Sequence, residues 1–186
     1  SLDPITNGHI NVVERIAPLY DEVVVLVAVD TRKKYTFAQE ERLLMAREAL
    51  AHLPNVTVDV CVGRYVVNYM HEIGANVLIR GLRNSTDLEA EQTLAIENGR
   101  IQPGIETLWI PCRPELMHVS SSMVRGHVGV DPDWETQVSR SVPGVVVKKL
   151  KEKYICNKAW VHWQAFMKII EKDECRELFD EFITAY

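Results

Sequence analysis

Glu22 to Val29 reads Glu-Val-Val-Val-Leu-Val-Ala-Val, an unbroken, mostly β-branched run of the kind found in parallel sheets covered on both faces. A strand with no polar side needs apolar partners above and below it, so the chain must supply helices for both faces. It does so on either side of the run. From Gly8 to Leu19, Ile10, Val13, Ile16 and Ala17 recur at helical spacing, and a helix is expected to end near Pro18. After the run, Thr36 and Gln39 spell a capping box that starts a second helix reaching about His52.

The alternation continues along the chain. Strands are expected at Asn55 to Val62, Asn76 to Ile79 and Glu106 to Ile110, and helices at Tyr65 to Ile73, Asp87 to about Ile101 and Ser120 to about His127. In the Asp87 helix, Leu88, Leu94, Ala95 and Ile96 are read as facing inward. Val142-Pro143 opens a further helix to Tyr154, with proline at its tolerated first position. Short connections between alternating strands and helices imply an α/β fold, a doubly wound Rossmann-like parallel sheet with helices on both faces. With 47% hydrophobic residues among 186, the chain can fill such a core. Residues 155–186 differ, carrying Trp160, Trp163, Phe166, Met167 and Ile170, then Leu178, Phe179, Phe182 and Ile183, at helical spacing. They read as a C-terminal helical extension to a domain of residues 1–154, with the aromatic stripe packing on the domain or a neighbouring subunit.

A net charge of −5 argues against broad electrostatic binding to nucleic acid or an anionic membrane, so any anionic ligand must be held by a local basic cluster. Cys61, Cys112, Cys156 and Cys175 form no C-x-x-C pair and none stands at metal-ligand spacing from a histidine, which fits a reduced, cytoplasmic protein. No apolar run approaches the roughly 20 residues of a membrane span.

Ligands of doubly wound sheets bind beyond the carboxyl ends of the strands, and that is where the basic and hydroxyl residues fall. In Thr6-Asn7-Gly8-His9, Thr6 can cap a helix, Gly8 lets a group approach the backbone, and His9 lies in a first turn whose free N–H groups attract anions. Lys33 and Lys34 follow the first apolar run. Arg80-Gly81-Leu82-Arg83 follows the Asn76 strand, its glycine read as permitting a tight turn that aims both guanidinium forks at one anion. Ser120-Ser121-Ser122, with Arg125 a turn further on, makes a second cradle. Taken singly, each also reads as an ordinary cap or solvated loop.

In register, these segments together with Glu40-Glu41-Arg42, Asp87, Glu89, Glu91 and Val119 resemble the bacterial phosphopantetheine adenylyltransferases of the nucleotidyltransferase superfamily, from residue 1 to about Tyr154. The family's T-x-G-H motif is matched by Thr6 to His9, and its I-S-S-S motif by Val119 to Ser122. The resemblance implies adenylyl transfer from ATP, accompanied by Mg²⁺, to 4′-phosphopantetheine, giving dephospho-coenzyme A in a homo-oligomeric enzyme. It further implies that Ser1 and His9 contact ATP phosphates and that Lys33 and Arg80 hold the acceptor phosphate and the reacting α-phosphate. Ser120, Ser121 and Ser122 would hold the triphosphate, Arg83 and Glu91 would stand near the nucleotide, and Asn98 would receive the pantetheine arm.

Three departures stand out. The family carries a first strand ahead of the residue matched by Ser1; without it neighbouring strand edges would be bare, so either upstream residues or another segment are expected to fill the gap. Ala90 replaces a usual aromatic, and Leu116 stands where some members have one. Residues 126–141 form a longer segment than the family's equivalent. Two other readings are a nucleotidyltransferase for another phosphorylated acceptor and a non-catalytic nucleotide-binding or interaction protein.

Overall fold

A computed structural model describes residues 2–155. The first compact unit runs to Val147 and a second begins at Lys148; all the strands and the candidate site belong to the first. Ser1 and the aromatic stripe expected between Trp160 and Ile183 lie outside the described residues.

The elements in order are α1 (Asn7–Ile16), closed by a 3₁₀ turn at Ala17–Leu19, β1 (Val23–Val29), α2 (Gln39–Leu50), β2 (Val56–Val62), α3 (Val66–Glu72), β3 (Val77–Leu82), α4 (Ser85–Ile101), β4 (Glu106–Pro111), α5 (Ser121–His127) and α6 (Trp134–Ser139). A last helix, α7, spans 144–155. The Pro143 carbonyl accepts from the N–H groups of Val146 and Val147, so the proline stands one position ahead of the expected first turn.

All strand pairing is parallel. β1 pairs with β2 from Val23–Val56 to Val29–Val62, and β3 pairs with β4 from Val77–Glu106 to Leu82–Pro111. The expected single sheet is present as two pairs. Between them lies a slot of about 850 Å³, walled by Val24, Leu26 and Ala28 of β1, by Leu78 and Arg80 of β3, by Val12 and Ile16 of α1 and by Met70 and Ile73 of α3. Because β1 borders this slot, Val24, Val25 and Leu26 are only half-buried, while Val27 is fully enclosed. No described strand occupies the slot.

The core on the other side of β1 is made by α2, whose Arg42, Met45, Ala46 and Leu50 are buried at one-face spacing. Arg42, 1% exposed, lies with its guanidinium carbon 4.0 Å from the centre of the Tyr35 ring, a cation–π contact. The N-cap of α2 is also Ala38, two residues later than Thr36. The Thr36 and Phe37 N–H groups are taken by Asp3, and the cap is completed instead by Glu41, whose carboxylate accepts from the Ala38 N–H at 2.8 Å.

On α4, Leu94 and Ile96 are exposed rather than inward. At about 100° per residue they lie roughly 200° apart and cannot share a face; the half-buried face is Leu88, Glu91, Ala95 and Asn98. The long segment after α5 holds α6, a helix that the sequence pattern does not announce and that buries Trp134 and Val138.

Candidate functional site

The start of α1 is organised by His9. Thr6, in extended conformation, is the N-cap, and the ring of His9 reaches back so that Nδ1 lies 3.1 Å from the Thr6 backbone nitrogen and 2.8 Å from its hydroxyl. This is the reciprocal half of a capping box, made by a histidine instead of a glutamate. A backbone N–H can only donate, so Nδ1 must be the acceptor and the ring proton sits on Nε2. Burial pushes the His9 pKa down to about 4, and the positive charges of Arg83 and Arg80 add to the effect. At neutral pH His9 is therefore an uncharged Nε2–H donor.

His9 lines a cavity of about 350 Å³ together with Gly8, Arg83, Leu116, Cys112, Arg125 and the three serines Ser120, Ser121 and Ser122. A Cβ at Gly8 would stand 3.6 Å from the Thr6 hydroxyl and 3.9 Å from the Val119 carbonyl, so the position tolerates a side chain only at the expense of cavity space. Ser120 caps α5 by accepting from the Met123 N–H at 3.1 Å, and its hydroxyl lies 3.1 Å from that of Ser122. Ser121 donates to the Pro4 carbonyl at 2.8 Å. Arg125 donates to the Asp3 carbonyl.

The two arginines of Arg80-Gly81-Leu82-Arg83 are each held by a carboxylate of α4. Arg80 makes a two-pronged pair with Glu91 at 2.8 and 2.6 Å, and Arg83 a two-pronged pair with Asp87 at 2.9 and 3.1 Å. Hydrogen bonding lowers the Asp87 pKa and raises that of Arg83. Asp87 and Glu91 are one helical turn apart, so a single helix face fixes both forks. Gly81 serves a different end from the turn expected of it. It lies inside β3, and a Cβ there would stand 3.0 Å from Val12 on α1; the glycine lets strand and helix close on one another.

Lys33 and Asn98 line neither cavity. Lys33 sits exposed in the loop after β1, where its N–H donates to the Asp30 carbonyl and its charge acts on the Asp30 carboxylate. Asn98 lies two turns beyond Glu91 on the same α4 face. Among the described residues no group of three or more His, Cys, Asp or Glu is placed to hold a metal ion, and no helix is long and apolar enough to cross a membrane.

The sequence pattern of the Cytidylyltransferase-like family matches residues 1–127. Among curated proteins, the phosphopantetheine adenylyltransferase of Bdellovibrio bacteriovorus is 42% identical over 153 residues, 82% of this chain and 92% of the relative. Those of Leuconostoc citreum and Herpetosiphon aurantiacus are 42% and 43% identical, covering 94% and 90% of their lengths and 82% and 83% of this chain.

This chain belongs to the phosphopantetheine adenylyltransferase family.

Of the residues that the likeness to phosphopantetheine adenylyltransferases singled out, the structure gathers His9, Arg83, Ser120, Ser121 and Ser122 around one cavity. Arg80 borders the adjoining slot beside His9, and Glu91 is present as the partner of Arg80. Glu40-Glu41-Arg42 proves to be local architecture: Glu41 caps α2 and Arg42 packs under Tyr35. What sequence reasoning missed was the pairing of Asp87 and Glu91 with the two arginines and the enclosure of Asp3. The first was signalled by carboxylates four apart just after an Arg-x-x-Arg. The second had no local signal, because the partners of Asp3 lie 33, 34 and 122 residues away.

Proposed function

We propose that the chain transfers the adenylyl group of ATP to 4′-phosphopantetheine, releasing pyrophosphate and forming dephospho-coenzyme A. The activity for which its relatives are named supports the reaction, and the observation that carries the site is the meeting of His9, Arg83 and the three serines at one cavity. An acceptor phosphate oxygen attacks the α-phosphorus of ATP; the bond from that phosphorus to the bridging oxygen breaks, and pyrophosphate leaves with the electron pair. The acceptor phosphate has its second pKa near about 6 and is already largely dianionic, so no general base is needed. The difficulty is bringing two anions together, which is a matter of positioning and charge neutralisation.

His9 donates from Nε2 to the α-phosphate as charge builds there. Being neutral, it supplies direction without drawing the triphosphate into an overly stable ground-state ion pair. Arg80 and Lys33 neutralise the attacking phosphate. Arg83 and the hydroxyls of Ser120 and Ser122 steady the leaving pyrophosphate, with Ser121 holding the cradle to Pro4. Ser1 and Glu91 border the nucleotide, and Asn98 receives the pantetheine arm. Mg²⁺ enters as part of the ATP substrate, and no step passes through a protein-held ion.

We assign residues 1–154 to this domain and 155–186 to an appended helical segment, in a cytoplasmic homo-oligomer that binds neither nucleic acid nor membrane. The exposed Leu108 of β4 offers apolar surface for a neighbouring subunit, and Cys61 and Cys112 are free thiols, as in a reducing compartment. The slot supports a fifth strand. A parallel strand leading into Leu2, which itself lines the slot, would pair with both β1 and β3. Numbered from that strand the sheet order becomes 3-2-1-4-5, the doubly wound order whose ligands bind at the central switch point.

The deciding experiment is pyrophosphate release from ATP by the purified chain against a panel of phosphorylated acceptors. Turnover with phosphopantetheine well above nicotinamide mononucleotide or simple alcohol phosphates supports the proposal. Preference for another acceptor, or ATP binding with no turnover of any, overturns it.

A further inference from the structure

Asp3 stands at the junction of the two loops that the proposed reaction must hold together. It is 5% exposed. Its Oδ2 accepts from the Thr36 N–H and its Oδ1 from the Phe37 N–H, both at 2.9 Å. Thr36 and Phe37 close the loop that carries Lys33 and Lys34. From the other side, Arg125 donates to the Asp3 carbonyl and brings its charge to 3.9 Å from Oδ2, while Ser121 donates to the carbonyl of the next residue, Pro4. The Asp3-Pro4 pair is thus gripped by the serine cradle on one side and grips the lysine loop on the other.

The rest of the lysine loop is already stiff. Asp30 receives hydrogen bonds from Arg32 and offers its N–H to the Tyr35 hydroxyl at 2.9 Å, and Tyr35 lies on the buried Arg42. Those contacts shape the loop internally. Two hydrogen bonds to Asp3 tie it to the segment leading into the Thr6–His9 turn. A carboxylate suits this place where an amide would not. It presents two acceptors to two backbone donors, whereas Asn would turn an NH₂ group against one of them, leaving a buried N–H unpaired.

We infer that Asp3 is a positioning residue, whose carboxylate fixes the Lys33 loop against the His9 turn and the serine cradle so that acceptor phosphate and ATP are held in line. The inference rests on the proposed adenylyl transfer. It does not require Asp3 to touch either substrate. Its consequence is a split effect: loosening Asp3 moves the acceptor's ammonium partner but leaves the ATP side, built on α1 and α5, in place.

The test compares Asp3→Asn, Lys33→Ala and the double variant in steady-state turnover of phosphopantetheine, with ATP affinity by calorimetry and folding checked by near-ultraviolet circular dichroism. Asp3→Asn should raise the KM for phosphopantetheine about tenfold while shifting the ATP Kd by less than about threefold, and should add little to Lys33→Ala in the double variant. Equal weakening of both substrates, unchanged constants, or fully additive effects would overturn the inference. Should Asp3→Asn fail to fold, Thr36→Pro, which removes one of the two donors and leaves Asp3 intact, must give the same split, and its absence sinks the idea. If the wild type turns over no phosphopantetheine, the functional reading fails by itself. Amide exchange then judges Asp3: residues 31–37 must exchange about tenfold faster in Asp3→Asn while α1 stays protected, and uniform loss of protection refutes the role.

Discussion

His9 accepts a hydrogen bond at Nδ1 from the backbone N–H of Thr6, 3.1 Å away, and so the one proton on its ring faces outward from Nε2. A residue that closes the first turn of a helix is also the donor presented to the cavity. Local structure and chemistry are here one contact. Replacing His9 by Ala should lower kcat by about a hundredfold or more, with the affinity for either substrate only slightly weakened, as for other donors that act on developing charge. Steady-state kinetics measures both; a normal kcat would show that His9 has been given the wrong role.

The same contact fixes a pH dependence. With a pKa of 6.5 when unperturbed and about 4 in the fold, His9 takes up its proton first in the unfolded chain as pH falls. Its contribution to stability is complete above pH 6.5 and is lost progressively from there down through pH 4. Thermal denaturation of wild type and His9→Gln across that window should show the wild type losing more stability than the variant. Parallel curves would contradict the lowered pKa.

Glu91→Gln isolates the positioning of Arg80. The Arg80 side chain is 44% exposed, so solvent screening limits the loss of stability to less than about 1 kcal/mol. The loss of aim matters more. The KM for phosphopantetheine should rise several-fold with Tm nearly unchanged; a large fall in Tm with unaltered KM would make the pair structural.

Ser120→Ala removes the N-cap of α5, a change worth about 1 kcal/mol, and also takes one hydroxyl from the cavity. Weaker ATP binding together with that modest destabilisation is expected. Ser122, exposed and with its hydroxyl bonded among the described residues to Ser120, should lose ATP affinity on substitution by Ala with no measurable change in Tm. Calorimetry and thermal denaturation of the two variants separate these outcomes, and unchanged ATP affinity in both would remove the serines from the site.

The fifth strand proposed above would fill the slot between β1 and β3. Joining seven apolar, β-branched residues ahead of Ser1 should raise Tm by about 5 °C or more relative to the same extension carrying two prolines, which cannot donate to the ladder. Amides of both β1 and β3 should become protected in the first extension alone. Identical behaviour of the two extensions would count against a fifth strand.

Much of this architecture is legible in the residues themselves. The β-branched run at Val23–Val29 and the alternation after it name a parallel α/β fold, since burial on both faces leaves no polar side to a strand. Thr6 to His9 and Ser120 to Ser122 announce two helix starts with polar groups to spare. Other features depend on contacts that sequence cannot display. The capping box spelled by Thr36 and Gln39 gives way to its reciprocal half alone, Glu41 accepting from the Ala38 N–H, because Asp3, distant in sequence, claims the Thr36 N–H. Gly81 has the look of a turn former, whereas its reason is Val12 on another element. In both cases a tertiary partner overrides a sound local rule. Leu94 and Ile96 mislead for a simpler reason, because their apolarity says nothing of the helix angle that separates them.

The central claim is that the α-phosphorus of ATP is transferred at the His9 cavity, and isotope tracing tests it most directly. With ATP labelled at the α-phosphate, the wild type should place the label in a product containing the pantetheine arm and release pyrophosphate unlabelled, while His9→Ala should do so at least about a hundredfold more slowly. Label remaining in ATP, or appearing as free AMP or ADP with the acceptor unchanged, would contradict the claim.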